Sequence, residues 1–290
     1  MKNLITRTLS GLCYALLIFL CTTSFFSEFL DIYFGLKIQS AYLFYGLMTF
    51  FLLMCLWECT QILRFSSLIY KILAFAVAGI VFYRFSSYFF NHSFIFAFLG
   101  QIAWSHVAAV VLFILALVTV FRFSDELETD SAKLIFTAVY IGMPFSLSLV
   151  LPFSQEPISP EIFYIFILIW LSDSFAYLIG TQFGKHKLAS KISPKKSVEG
   201  LVGGIVITLI AGFIIEKLCP DLRGNWIIIG GIIAIFAPLG DLAESKLKRI
   251  FNVKDSGMVI PGHGGFLDRL DSFITCVPFV FLYFLIDSLL

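Results

Sequence analysis

Three aspartates near the carboxyl end of the sequence are candidates for binding a divalent cation. Asp268 and Asp271 are three residues apart, so a helix that begins after Gly264 and Gly265 would place both carboxylates on one face. Asp241 lies inside an apolar run, where an ionisable side chain indicates a functional site. Because Mg²⁺ prefers carboxylate oxygens, we expect the three aspartates to be catalytic and to share a metal ion.

Basic side chains and glycines surround these aspartates. Four cations between Asp241 and Asp268 are suited to receive phosphate groups: Lys246, Lys248, Arg249 and Lys254. The segment Pro-Gly-His-Gly-Gly at 261–265 can turn tightly and point backbone N–H groups at an anion just before a helix begins. Together these features indicate metal-dependent phosphoryl or nucleotidyl transfer.

Each feature also has a structural interpretation. The cations are typical of a cytoplasmic anchor beside a transmembrane helix, Asp268 can pair with Arg269, and His263 can be an ordinary surface residue. The functional interpretation is favoured because all of these features occur together within the 28 residues from Ser245 to Ser272.

The composition of the chain is that of a membrane protein. The chain has 290 residues, of which 59% are hydrophobic and 13% charged, with a mean hydropathy of +0.96. Soluble domains carry about 25% charged residues, so we predict an all-α, polytopic integral membrane protein. The net charge of +1 indicates no general polyanion-binding surface, and we expect no nucleic-acid partner. The six cysteines show no Cys-x-x-Cys spacing, so neither zinc nor a disulfide framework is indicated.

Apolar runs of about 20 residues predict transmembrane helices, and the sequence contains about nine of them. They are 8–26, 41–63, 68–90, 100–121, 132–151, 161–183, 200–216, 226–247 and 266–288. We divide them into a scaffold of about five helices (1–151) and a catalytic domain of about four (152–290), with cytoplasmic loops at 184–199 and 246–265. Glu58, in the second span, is expected to reach the membrane interface. Pro238 and Gly240 are expected to weaken or break the eighth.

The distribution of lysine and arginine predicts the orientation. With a cytoplasmic amino terminus, fifteen of these residues lie on the cytoplasmic side and four on the other. The same assignment places both basic loops, and therefore the active site, in the cytoplasm. We expect a bacterial-type inner membrane.

The sixth span and the loop after it contain further candidates. Asp173 lies in mid-span, where a charge needs compensation; a structural hydrogen bond between helices is the alternative. The loop Gly-Lys-His-Lys-Leu-Ala-Ser-Lys-Ile-Ser-Pro-Lys-Lys-Ser-Val-Glu-Gly at 184–200 offers lysines for a triphosphate, or for acidic lipid headgroups. Gly200 and Gly204, four residues apart, permit close helix packing.

The stretch 245–271 resembles, position for position, the signature of the phosphatidate cytidylyltransferases (CDP-diacylglycerol synthases). The matching residues are Ser-x-Leu-Lys-Arg at 245–249, Lys254-Asp255, Gly257, and Pro261-x-His263-Gly264-Gly265-Phe266-x-Asp268-Arg269-Leu270-Asp271. The loop at 184–200 resembles the same family's second motif region, so the resemblance covers about residues 160–272.

The resemblance implies transfer of a cytidylyl group from CTP to phosphatidic acid, with Mg²⁺ and room for a second cation. Asp241, Asp268 and Asp271 would hold the metal. Substrate would be bound by Lys195, Lys196, Ser197, Ser245, Lys248, Arg249, His263 and Arg269. Secondary candidates are Asp173, Lys185, Glu244, Lys254 and Asp255.

Two other functions use similar parts. A CTP-dependent lipid kinase would direct attack at the γ-phosphorus, and a transporter would use the buried aspartates as a cation path. The sequence shows no internal repeat, which weakens the transporter hypothesis. The expected partners are CTP, phosphatidic acid and membrane lipids, and a homodimer is left open.

Overall fold

The computed structural model describes residues 2–90, 102–123, 127–151, 160–257, 259–260 and 264–288, and nearly all of its regular structure is helical. The first five helices are α1 (Lys2–Thr22), α2 (Phe25–Phe34), α3 (Ser40–Leu63), α4 (Leu68–Phe90) and α5 (Ile102–Arg122). The later helices are α6 (Asp130–Thr137), which continues through a π-helical turn (Ala138–Gly142) into α7 (Met143–Ser148), α8 (Pro160–Phe183), α9 (Val198–Leu218), α10 (Trp226–Ile250) and α11 (Leu267–Asp287). Two short antiparallel strands, β1 (Lys187–Ala189) and β2 (Ser193–Ser197), form a hairpin between α8 and α9.

The helices have the length and composition of membrane spans. Among the described residues, seven helical segments are long and apolar enough to cross a membrane, and up to eight if α1 and α2 form one bent span. The described part of α5 from His106 is a shorter apolar helix. Each predicted span therefore coincides with an apolar helix, and the prediction of an all-α, polytopic membrane protein is confirmed.

The first predicted span is bent. α1 ends at Thr22, and α2 leaves it at an angle of 77°. The hydroxyls of Thr22 and Thr23 each donate to the carbonyl four residues back, and such bonds bend helices.

Pro238 and Gly240 do not interrupt α10, so the expected break is absent. Side chains from neighbouring elements donate to carbonyl groups beside the proline. The Ser272 hydroxyl lies 3.1 Å from the Ala237 oxygen, and Lys196 Nζ lies 3.3 Å from the Pro238 oxygen. A continuous helix keeps its polar backbone paired at membrane depth.

Small residues let α9 approach its neighbours. Gly200, Gly204, Thr208 and Gly212 are buried and four residues apart, so they form one stripe along the helix. A Cβ atom at Gly200 would lie only 2.5 Å from the carbonyl oxygen of Ala176 in α8. The prediction of close packing at Gly200 and Gly204 is confirmed.

We expect Gly200→Ala to destabilise the protein by about 1–3 kcal/mol, because the added methyl group must push α8 and α9 apart. The matched control is Gly79→Ala in α4, where an added Cβ meets nothing within 4 Å. Thermal unfolding in detergent micelles measures the difference. Equal unfolding midpoints for the two variants would contradict the proposed crowding.

α11 is the most deeply packed of the described spans, with 72% of its apolar window buried. Its Phe273 stacks on Phe166 of α8 with ring centroids 4.5 Å apart. One apolar cluster includes Phe51 of α3 and Phe145 of α7 as well as these rings, and so joins both halves of the chain. The division at residue 151 stays a prediction. The fold therefore holds the start of α11, with Asp268 and Asp271, against this apolar core.

Candidate active site

A cleft of about 400 Å³ opens where α1, α8 and α11 meet. The charged side chains at its wall come from two helices, with Asp173 on α8 and Asp268, Arg269 and Asp271 on α11. Apolar lining comes from Trp170 and its neighbours. The cleft therefore joins charged groups to a lining that suits hydrocarbon.

Three aspartates on three packed helices lie at or near this cleft. Asp173 of α8 and Asp271 of α11 line it, and Asp241 of α10 lies within electrostatic range of both. Asp271 is 7% exposed, and its Oδ1 accepts the backbone N–H of Ser272 at 2.7 Å. Asp241 and Asp271 thus lie near one another, with Asp173 as the third member of the group, and their catalytic and metal-binding roles stay a prediction.

Asp268 belongs to a different cluster. Its Oδ1 lies 2.6 Å from Lys248 Nζ, and its Oδ2 accepts the backbone N–H groups of Gly265 at 2.9 Å and Ser256 at 3.2 Å. Lys248 also pairs with Glu244 at 2.7 Å, and all three charged side chains are largely buried. Lys248 is therefore committed to a carboxylate cluster that joins α10 to α11.

The carboxylates of the described residues do not form a ready-made metal site. Carboxylate oxygens suit Mg²⁺, but the described residues contain no group of three or more His, Cys, Asp or Glu side chains arranged to hold a metal. Asp268 faces Lys248 instead of joining Asp241 and Asp271. The described residues therefore form no preassembled site, and the shared Mg²⁺, like any second cation, stays a prediction.

The hairpin brings a lysine to the carboxylates. Lys196 on β2 lies 2.7 Å from Asp241 Oδ2. Ser197 follows it and caps α9 by accepting the N–H of Gly200, which fixes the end of the hairpin. Glu199 accepts the backbone N–H of Lys185 and lies 2.6 Å from His186 Nδ1. These contacts hold the two residues just before β1. The basic loop predicted from sequence is thus an ordered element.

The other predicted residues are distributed around this centre. The Ser245 hydroxyl donates to Asp241 Oδ1 at 3.2 Å. The exposed members of the set are Lys185, Lys195, Arg249, Lys254, Asp255 and Arg269. His263 lies outside the described residues.

Glu58 was assigned from sequence to the membrane interface, but the structure buries it inside the protein. The residue is fully buried, and its carboxylate accepts the N–H groups of Phe266 at 2.9 Å and Leu267 at 2.7 Å. The N–H groups of Gly265, Phe266 and Leu267, in the described part of this turn, therefore bind carboxylates of the chain itself, where a substrate anion was expected. A charged residue inside an apolar helix was the available signal.

Known proteins resemble this chain over about half of its length. The phosphatidate cytidylyltransferase of Bacillus subtilis is 45% identical over 151 residues, which cover 51% of this chain and 55% of the relative. The phosphatidate cytidylyltransferase of Staphylococcus aureus is 42% identical over 154 residues, 51% of this chain and 57% of the relative. The chain thus covers just over half the length of these curated relatives.

A family model gives the broader match. The model of the cytidylyltransferase family aligns with residues 22–287, which include the α8 and α11 walls of the cleft, the carboxylates, the hairpin and nearly every span. The chain belongs to the cytidylyltransferase family.

Proposed function

We propose that the chain is a phosphatidate cytidylyltransferase, which transfers CMP from CTP to phosphatidate and releases pyrophosphate. The observation that carries the proposal is the meeting of a carboxylate group, a lysine hairpin and an arginine-lined cleft at one end of the membrane helices of a cytidylyltransferase-family chain. Relatives with 42–45% identity are named for this activity.

The proposed reaction does not require a strong general base. The phosphate of phosphatidate is already ionised at neutral pH, so one of its oxygens can attack the α-phosphorus of CTP directly. A new P–O bond forms there as the bond to the bridging oxygen of pyrophosphate breaks. Catalysis then depends mainly on positioning and on neutralising charge.

Lys196 and Arg269 are placed for these two tasks. The ion pair of Lys196 with Asp241 is half-exposed, so an incoming triphosphate can compete for the ammonium group. Arg269 lines the cleft between α1, α8 and α11, where its guanidinium suits the phosphate of a lipid. Trp170 and the neighbouring apolar lining would accommodate the first part of the acyl chains.

We also propose that the site faces the cytoplasm of a bacterial-type inner membrane. The excess of lysine and arginine on the side of both basic loops supports this orientation. CTP and Mg²⁺ would reach the site from that side, and phosphatidate from the bilayer. A homodimer stays an open prediction.

Product analysis tests the function. Purified protein in phosphatidate vesicles is given Mg²⁺ and CTP labelled in its α-phosphate. We expect labelled CDP-diacylglycerol and one pyrophosphate for each turnover. Formation of labelled CDP with a newly phosphorylated lipid would instead identify a kinase, and the absence of any lipid product would refute the proposal.

A further inference from the structure

Glu58 joins the amino-terminal half of the protein to the proposed catalytic helix. It lies on α3, is 0% exposed, and is separated from its partners on α11 by more than 200 residues of sequence. Its Oε1 accepts the N–H of Phe266, and its Oε2 accepts the N–H of Leu267 and the hydroxyl of Ser256. A buried carboxylate with three donors is held in one geometry.

The contact completes the start of α11. A helix leaves its first backbone N–H groups without partners inside the helix. Here Asp268 accepts from Gly265, Glu58 accepts from the next two residues, and Ser256 Oγ accepts the N–H of Asp268 at 3.3 Å. Removing Glu58 would therefore free the turn that carries Asp268, Arg269 and Asp271.

Two glycines leave the space that Glu58 occupies. A Cβ atom at Gly257 would lie 2.6 Å from Glu58 Oε1, and one at Gly265 would overlap with Glu58 Oε2. Both glycines belong to the stretch that resembles the family signature. Because glycine has no side chain, both positions leave room for the carboxylate of Glu58 from α3.

A continuous hydrogen-bond path runs from Glu58 to the proposed site. Ser256 donates its hydroxyl to Glu58 and its backbone N–H to Asp268, and Asp268 binds Lys248. We propose that Glu58 is a positioning residue for the cytidylyl transfer, which fixes the first turn of α11 so that Arg269 and Asp271 face the cleft. This inference rests on the proposed function.

The isosteric variant Glu58→Gln tests the role. An amide nitrogen would replace one carboxylate oxygen and meet N–H or O–H donors, so the first turn of α11 should shift. We expect kcat for CDP-diacylglycerol formation to fall about 10- to 100-fold. The KM for CTP should stay near the wild-type value, because the hairpin that carries Lys196 packs on α8 and α9.

Glu161→Gln is the matched control. Glu161 is also a buried carboxylate that accepts a backbone N–H, from Arg223 at 3.0 Å, but it lies at the opposite end of α8 from the hairpin. We expect this variant to lower the unfolding midpoint and to keep the wild-type kcat. Hydrogen exchange should show loss of protection at amides 265–268 in Glu58→Gln alone.

Ser256→Ala provides a second, milder variant. It removes the hydroxyl shared by Glu58 and the N–H of Asp268, so its effect on kcat should be non-additive with Glu58→Gln. Additive effects, or wild-type kcat in Glu58→Gln, would overturn the inference alone. Failure of the wild-type protein to form CDP-diacylglycerol would overturn the proposed function and the inference with it.

Discussion

Lys248→Met is expected to cost about 3–5 kcal/mol of stability, the usual result of removing one partner from a buried ion pair. Lys248 lies between Glu244 and Asp268, and the side chains of these three residues are 11%, 2% and 14% exposed. Without the ammonium group, two carboxylates would remain buried with no cation between them. Glu244 Oε1 already has no hydrogen-bond partner among the described residues. The midpoint of thermal unfolding in detergent measures the loss.

Lys217→Met is the control for this prediction. Lys217 lies near the end of α9 and its side chain is exposed, so its replacement should leave the midpoint close to that of the wild type. The double variant Lys248→Met with Glu244→Gln should regain part of the lost stability, since one buried charge is removed. Equal midpoints for Lys248→Met and Lys217→Met would show that the cluster contributes nothing.

The second large effect is expected from Asp271→Asn, which should reduce turnover by about 100-fold or more. Stability should stay close to that of the wild type, because the amide oxygen of asparagine can still accept the backbone N–H of Ser272. If Mg²⁺ binds at this carboxylate, the ion should raise the unfolding midpoint of the wild type and not that of the variant. Labelled product and thermal unfolding with and without Mg²⁺ measure the two effects.

Asp268→Asn is the variant to compare with Asp271→Asn. Asp268 accepts hydrogen bonds from Lys248, Gly265 and Ser256, so its variant should lose stability together with activity. The two aspartates looked equivalent in the sequence, but the structure assigns them to different clusters. Identical behaviour of the two variants in activity and stability would contradict that assignment.

The sequence was sufficient to predict the spans, because apolar runs of the right length have no stable alternative to helices in a bilayer. It also assigned Asp241 and Asp271 to two neighbouring spans, and the corresponding helices α10 and α11 pack against each other. The division of roles between Asp268 and Asp173 could not be predicted. It depends on how α8, α10 and α11 are rotated about their axes, which packing decides.

Contacts between residues far apart in the sequence account for the other features that could not be predicted. Spacing along the chain gives no indication that Glu58 binds the N–H groups of Phe266 and Leu267. Gly265 was interpreted as giving the backbone freedom to turn, although an added side chain there, or at Gly257, would meet Glu58. The hairpin at 187–197 was likewise predicted only as a loop, because its strands are three and five residues long.

The bond between Glu58 and Leu267 also constrains how the protein is made. A ribosome that adds about 5–20 residues per second needs roughly 10–40 s to synthesise the 209 residues that separate them. During that interval Glu58 lacks the two backbone donors that it has in the folded protein. The proposed site can therefore be completed only after α11 has been synthesised and inserted. A nascent chain stalled before that point would be inactive.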